Sequence, residues 1–249
     1  MKIYGLIGYP LSHSFSATFF SEYFFREGIL NTRYELFPIE KINDLVPLIT
    51  NTKDLLGLSV TIPYKKAILP LLTFIDPIAQ KVGAVNTIKI LREDKISLHG
   101  FNTDIYGFEE SLKPLLKKTH NKALILGTGG ASRAVAYVLK KLGIEFSLVS
   151  RSNHDSPQTY SYQELNSDII AQHHLIINTT PAGMFPHIDE MPDIPYHWLT
   201  KNHLLYDLIY NPAETIFLKK GIEKSCTVSN GMEMLMLQAL KAWQIWNDE

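Results

Sequence analysis

The chain has 249 residues, 45% of them hydrophobic and 20% charged, a net charge of -1 and a single cysteine, Cys226. That length and composition fit an ordinary globular protein of one or two domains; the charge excludes non-specific nucleic-acid binding, and one thiol excludes an internal disulfide or a four-cysteine metal site. The N-terminal run lacks the apolar core of a signal peptide, and no stretch reaches the ~20 apolar residues of a membrane span, so a cytoplasmic protein is expected.

In chain order, 3–7 reads as a short apolar strand ending at Gly8. A helix follows over 14–27, its inner face at Phe15, Phe19 and Tyr23 with Phe20 and Phe24 as the next candidates, and Gly28 ends it. The pattern then predicts a strand at 34–39, a helix at 42–49, a strand at 55–60 and a helix at 63–69. Two β-rich runs, 84–90 and 95–101, flank the polar Arg92-Glu93-Asp94-Lys95 as a hairpin. A helix at 104–116, bent at Pro114, leads to a second series: strand 122–126, helix 130–142, and strands at 145–149, 174–178, 204–209 and 227–228. Strands of this kind, separated by helices, imply a parallel, helix-covered sheet. The apolar residues of the last helix, 232–246, are too many for one stripe and predict packing on two sides.

The run Ala123-Leu124-Ile125-Leu126-Gly127-Thr128-Gly129-Gly130-Ala131 is a buried strand, a glycine turn and a helix start. Such a turn lets the backbone approach a phosphate while the helix N-terminus offers free N–H groups. Gly127, Thr128, Gly129, Gly130 and Ala131 are therefore candidate dinucleotide ligands. The next strand ends at Ser150-Arg151-Ser152, where an NAD site usually carries an acid. An acid would repel a 2′-phosphate and Arg151 would attract one, so NADP is the expected cofactor; the alternative for Arg151 is a solvated loop arginine.

In the first half, Ser14 and Ser16 lie at a helix entry suited to a carboxylate, with helix capping as the bland alternative. Ser59 and Thr61 share one face of a strand end, and Lys65 sits in the first turn of a helix, where a cation is electrostatically misplaced. Asn86 and Asn102 place amides at strand ends, and Asp104 falls where an N-cap is expected.

Together these runs resemble the shikimate dehydrogenase family. Its H-S-x-S, N-V-T-x-P-x-K, G-A-V-N-T and N-T-D-x-x-G runs correspond to 13–16, 59–65, 83–87 and 102–107. Its cofactor loop corresponds to 127–131, its N-x-T-x-x-G-M run to 178–184, its D-x-x-Y-x-P run to 207–212 and its closing G-x-x-M-L-x-x-Q-A run to 231–239. The resemblance implies an enzyme of aromatic amino acid (chorismate) biosynthesis that reduces 3-dehydroshikimate to shikimate, reversibly, with NADPH. It implies Lys65 and Asp104 as catalytic residues with Asn102 and Thr103 as flanking supports, Ser14 and Ser16 on the carboxylate, and Thr61, Asn86, Tyr210 and Gln238 as further substrate contacts, with Ser59 and Asn102 beside them. On the cofactor side it adds Ser150, Arg151, Ser152 and Thr179, with Gly231 either under the nicotinamide or simply a helix-start glycine.

Three departures matter. Ser59 stands where the family has asparagine, Ser150 and Ser152 replace the neighbours of Arg151, and His154 stands near the place of a second basic residue, which weakens the NADP preference. The expected architecture is α/β: a substrate domain over 1–103, joined by 231–249 and carrying a mostly parallel mixed sheet, and a Rossmann-type NADP domain over 104–230, with a cleft between them. The expected partner is a small molecule, with no metal, nucleic acid or membrane, in a monomer or homodimer. Two rivals are a quinate/shikimate dehydrogenase using NAD or NADP, and a nucleotide-binding sensor without turnover; a folate-type dehydrogenase lacks support from the Ser14/Ser16 run.

Overall fold

In this computed structural model, which describes residues 1–11, 14–151 and 159–248, the first strand, β1 (Lys2–Gly8), is buried at every residue after Lys2. Alternate residues serve different cores: Ile3 and Ile7 pack on one face of the sheet, Tyr4 and Leu6 on the other. The chain continues through α1 (Phe15–Arg26), β2 (Thr32–Pro38), α2 (Leu45–Asn51), β3 (Leu55–Val60), α3 (Tyr64–Ala67), β4 (Phe74–Ile75), α4 (Pro77–Val82), β5 (Thr87–Arg92), β6 (Ile96–Phe101) and α5 (Asp104–Leu112). Two compact units result, Met1–Tyr106 with Gln238–Glu249, and Gly107–Leu237, so the chain leaves the first unit within α5.

The first unit holds a six-stranded mixed sheet in the order β2-β1-β3-β5-β6-β4. β1 runs parallel to β2 and β3, and the β5–β6 hairpin joins antiparallel to β3. These directions put the C-terminal ends of β1, β3 and β6 and the N-terminal end of β5 at one edge. The loops of that edge carry Ser14, Thr61, Lys65, Asn86 and Asp104. On one face of this sheet Phe20 stacks on Tyr34 with ring centroids 4.6 Å apart, beside Phe24, Trp243 and Trp246.

The second unit continues with β7 (Lys122–Leu126), α6 (Gly130–Lys141), β8 (Glu145–Ser150), β9 (Thr159–Ser161), α7 (Ser167–Gln172), β10 (Leu175–Asn178), β11 (Leu204–Asp207), α8 (Ile216–Glu223) and β12 (Thr227–Ser229). The last helix, α9 (Met232–Asn247), begins here and ends in the first unit. Its six-stranded sheet is wholly parallel in the order β12-β11-β10-β7-β8-β9. This is the doubly wound order of dinucleotide-binding sheets, with the chain reversing direction of travel across the sheet between β7 and β10.

Several local expectations change. On α1 the weight of the expected inner face shifts: Phe20 and Phe24 are buried, stacked beside Tyr34 and Trp243, while Phe19 and Tyr23 pack half-buried on the same core and Phe15 is half-buried. The strand expected at 84–90 starts only at Thr87, since the three preceding residues bond individually to Ala79 of α4, Lys65 of α3 and Phe101 of β6. Pro114 lies in a separate 3₁₀ turn, Lys113–Leu115, after α5 has ended. β4, α4, α7, β9 and α8 had no assigned counterpart. In α9 Ala239, Ala242 and Trp246 are buried, and Met234, Leu235, Leu237, Leu240, Trp243 and Ile245 are half-buried. Among the described residues no helix is long and apolar enough to cross a membrane.

Candidate active site

In the first unit the ends of β3, β5 and β6 are stitched together by the backbone. Val60 N–H donates to Asn86 O, Val85 N–H to Lys65 O and Asn86 N–H to Phe101 O, at 2.8, 2.8 and 3.0 Å. The buried Tyr64 anchors α3 by donating its hydroxyl to Ile39 O at 2.6 Å. On this frame the Lys65 ammonium reaches Asp104 Oδ2 at 2.7 Å, the two side chains being 34% and 20% exposed. The other carboxylate oxygen, Oδ1, accepts from Asn86 Nδ2 at 2.9 Å. Gln238 Oε1, arriving on α9, accepts from Asn86 Nδ2 and Thr103 Oγ1 at 3.4 and 3.3 Å. Lys65, Asn86, Asp104 and Gln238 thus form one hydrogen-bonded group.

Capping does not account for the key polar residues. Ser14 occupies the N-cap position of α1, but its hydroxyl makes no capping bond. Just before α5, Asn102 Oδ1 accepts from Ile105 N–H at 3.3 Å while its Nδ2 donates to Ala84 O at 3.0 Å. Asp104 was expected at the N-cap; it is the first helical residue, and its carboxylate is spoken for by Lys65 and Asn86.

Ser16, Ser59 and Thr61 stand half-buried nearby in the fold, outside that hydrogen-bonded group. The sequence reading missed Tyr34, whose ring is buried in the aromatic core. Its hydroxyl lies beside Ser59 and Ser16, yet none of the described residues meets it with hydrogen-bond geometry. Burial pushes its pKa well above the ordinary phenol value, so it stays a protonated donor. Thr103, expected as a support flanking Asp104, and Thr87, given no role of its own within the 83–87 run, are both fully buried behind Asn86. A tyrosine inside an aromatic-rich strand and a threonine opening another carry no signal until register places them.

In the second unit Gly127 follows β7 with φ +103°, and an added Cβ would come within 3.0 Å of Thr179 Oγ1. Thr179 closes the turn from β10, donating its N–H and hydroxyl to Leu126 O at 3.0 and 2.6 Å. Gly129 and Gly130 have nothing within 4 Å of a built Cβ. Gly129 is the N-cap of α6 and brings no side chain to the first N–H groups, and that turn holds no acid. Open space over uncapped N–H groups fits a pyrophosphate. Arg151 is exposed just past β8 and its charge is felt by the Tyr162 phenol; Ser152 and His154 lie outside the described residues. Tyr210 lies half-buried after β11.

Gly231 has a packing reason of its own, since a Cβ there would collide with the Leu208 carbonyl. The connection after β11 is held by Asp207, which is fully buried. Its Oδ1 accepts from Asn178 Nδ2 and Ile209 N–H at 3.0 Å each, and its Oδ2 from the Thr215 hydroxyl at 2.6 Å. Burial nevertheless pushes its carboxyl up to about 6.

Residues 6–88 match the family model described as the shikimate dehydrogenase substrate binding domain. The shikimate dehydrogenase (NADP(+)) of Carboxydothermus hydrogenoformans is 38% identical over 261 residues, covering 98% of this chain and 91% of the relative. The chain belongs to the shikimate dehydrogenase family. The crystal structure of the family member from Aquifex aeolicus superposes with a TM-score of 0.87 at 34% identity, over 99% of this chain and 92% of that one. The enzyme from Thermus thermophilus, solved in complex with NADP(H) and shikimate, gives a TM-score of 0.84 at 29% identity, over 99% and 94%. Family membership therefore extends over both units.

Proposed function

We infer that this chain is a cytoplasmic enzyme reducing 3-dehydroshikimate reversibly to shikimate with NADPH, a step of aromatic amino acid biosynthesis. The observation that carries the reading is the Lys65–Asp104 pair, 2.7 Å apart and backed by Asn86. When bound, the cofactor supplies a hydride to the ketone carbon. Gly127 to Ala131 would hold its pyrophosphate on the N-terminus of α6, with Thr128, Ser150, Arg151, Ser152 and Thr179 around the nucleotide and Gly231 at the nicotinamide side.

Lys65 gives a proton to the carbonyl oxygen as negative charge develops there, and takes it back in the oxidative direction. Asp104 keeps that ammonium in place through Oδ2 and accepts from a neighbouring substrate hydroxyl. Ser14 and Ser16 hold the carboxylate, and the Tyr34 hydroxyl beside Ser16 supplies one further buried donor. Ser59, Thr61, Asn86, Asn102, Tyr210 and Gln238 complete the hold on the hydroxyls. A carboxylate and an array of hydroxyls need many donors and acceptors fixed in advance, which such a polar strand-end cluster provides.

The test is a two-by-two assay of initial rates, shikimate and quinate against NADP and NAD. Shikimate with NADP is expected to be the fastest pair. Equal or faster oxidation of quinate, or a flat trace with all four pairs, overturns the assignment.

A further inference from the structure

Behind the Lys65–Asp104 pair lies a group with no role so far. Thr87 opens β5, and its side chain is wholly shielded from solvent. Its hydroxyl donates to Asn86 Oδ1 at 3.2 Å and lies 3.2 Å from Thr103 Oγ1. We propose that Thr87 is a positioning residue: its hydroxyl is a second donor on Asn86 Oδ1 beside the Thr103 N–H, and by tightening the hold on that amide it steadies the carboxylate that meets Lys65. This rests on the proposed dehydrogenase reaction.

The argument is a count of hydrogens. An amide side chain has two ends of similar shape, and only its partners decide which end points where. Asn86 Oδ1 accepts from Thr103 N–H at 2.7 Å, and that backbone donor cannot be turned into an acceptor. The opposite end, Nδ2, then faces Asp104 Oδ1, and Oδ2 is left to Lys65. Thr103 Oγ1 accepts from Asn86 Nδ2 at 3.0 Å, and its single hydrogen has two claimants besides Thr87: Asn86 Oδ1 at 3.2 Å and Gln238 Oε1 at 3.3 Å. With the Thr87 hydrogen on Asn86 Oδ1, the Thr103 hydrogen serves Gln238. Both amides are then locked with their oxygens inward. Without the Thr87 hydroxyl, Asn86 Oδ1 keeps the Thr103 N–H but gains a second donor only if the Thr103 hydroxyl turns to it and away from Gln238, so the hold on one amide or the other weakens. In so buried a place no water makes good the loss.

The side chain separates the two possible roles of this residue. Thr87→Val keeps the methyl and loses the hydroxyl; Thr87→Ser keeps the hydroxyl and loses the methyl. In the full chain, Thr87→Val is expected to lower kcat about tenfold, the net worth of one hydrogen bond, with KM for shikimate moving less than about threefold. Thr87→Ser should restore kcat to within about twofold despite a lower Tm from the lost methyl. If Thr87→Val does not fold, Thr87→Ala provides the hydroxyl-free chain for the same comparison. Parental kcat in the hydroxyl-free variant, or an equal loss of kcat in Thr87→Ser, makes the residue a packing element and overturns the proposal. An inactive parent overturns the dehydrogenase reading and this one with it; an active parent with an undiminished hydroxyl-free variant overturns this one alone.

Discussion

The two units build their functional edges from different material. In the first, the edge is made of side chains: an ammonium, a carboxylate and two amides joined by hydrogen bonds of 2.7 to 3.4 Å. In the second, it is made of backbone: a glycine turn and the N–H groups that open α6. The sheets explain the contrast. A mixed sheet with a hairpin brings the start of β5 beside the ends of β3 and β6, so side chains on the segments flanking these three strands converge. In the all-parallel sheet the end of β7 runs through a glycine turn into the N-terminus of α6, and the peptide itself becomes the ligand. Losing one side-chain functional group should therefore abolish chemistry in the first unit, while adding a single carbon should do the damage in the second.

The largest effect tests the first half of that statement. Lys65→Ala removes both the proton donor and the charge facing the developing alkoxide, so kcat should fall by about a thousandfold. Substrate affinity should change far less, because the carboxylate and hydroxyl contacts remain. Steady-state kinetics with shikimate decides it: a large rise in KM with kcat intact would make Lys65 a binding residue only.

The second half is tested by two glycines of the second unit. Gly231→Ala drives a Cβ into the Leu208 backbone and should lower stability by about 1–3 kcal/mol, read as a lower Tm. Gly129→Ala meets nothing in the fold and has ordinary φ of -79°, so Tm should hold. Its methyl would instead fill the space assigned to the pyrophosphate and raise KM for NADPH. Parental KM in Gly129→Ala would separate that space from the cofactor.

The same division governs what the sequence made legible. Continuous apolar runs such as those of β7 and β10 can only be buried strands, and the glycine turn after β7 follows from local chain chemistry. Lys65 and Asp104 were found by motif; of the two only Lys65, a cation in a helix's first turn, is out of place locally, while Asp104 sits where a capping acid is ordinary. α4 was missed although its bounds are written locally: Asp76 caps Ile78 and Ala79, Pro77 opens the helix and Gly83 ends it with φ +68°. Six residues are simply too few to show a helical period. The roles of Thr87 and Tyr34 were illegible for a deeper reason. Ser59 faces Thr87 and Thr87 faces Phe101 only through the pairing of β3, β5 and β6, and no local pattern encodes that register.

The smallest effect concerns the backbone-built unit, where the loop after β11 hangs on a single buried acid. Burial raises the Asp207 carboxyl from 3.8 to about 6, so the folded chain holds this proton more tightly than the unfolded one. Its contribution to stability is complete below the unfolded value and is lost as pH rises through about 6. His120, His173 and His203, all buried in the same unit, have pKa values lowered chiefly by burial. Their contribution has the opposite sign: present above the ordinary histidine value of 6.5 and lost as pH falls. Asp207 therefore buffers this unit against acid. Asp207→Asn removes the opposing group, and between pH 5 and 7 the acid-side loss of stability should steepen by about 1 kcal/mol. Urea titrations read by amide exchange on β10 and β11 give that slope directly. Absolute stability will shift as well, because an amide nitrogen must face donors that the carboxylate satisfied, so the slope rather than the midpoint carries the test. Equal slopes in parent and variant would mean that the three donors outweigh burial, leaving the acid ionised throughout this range.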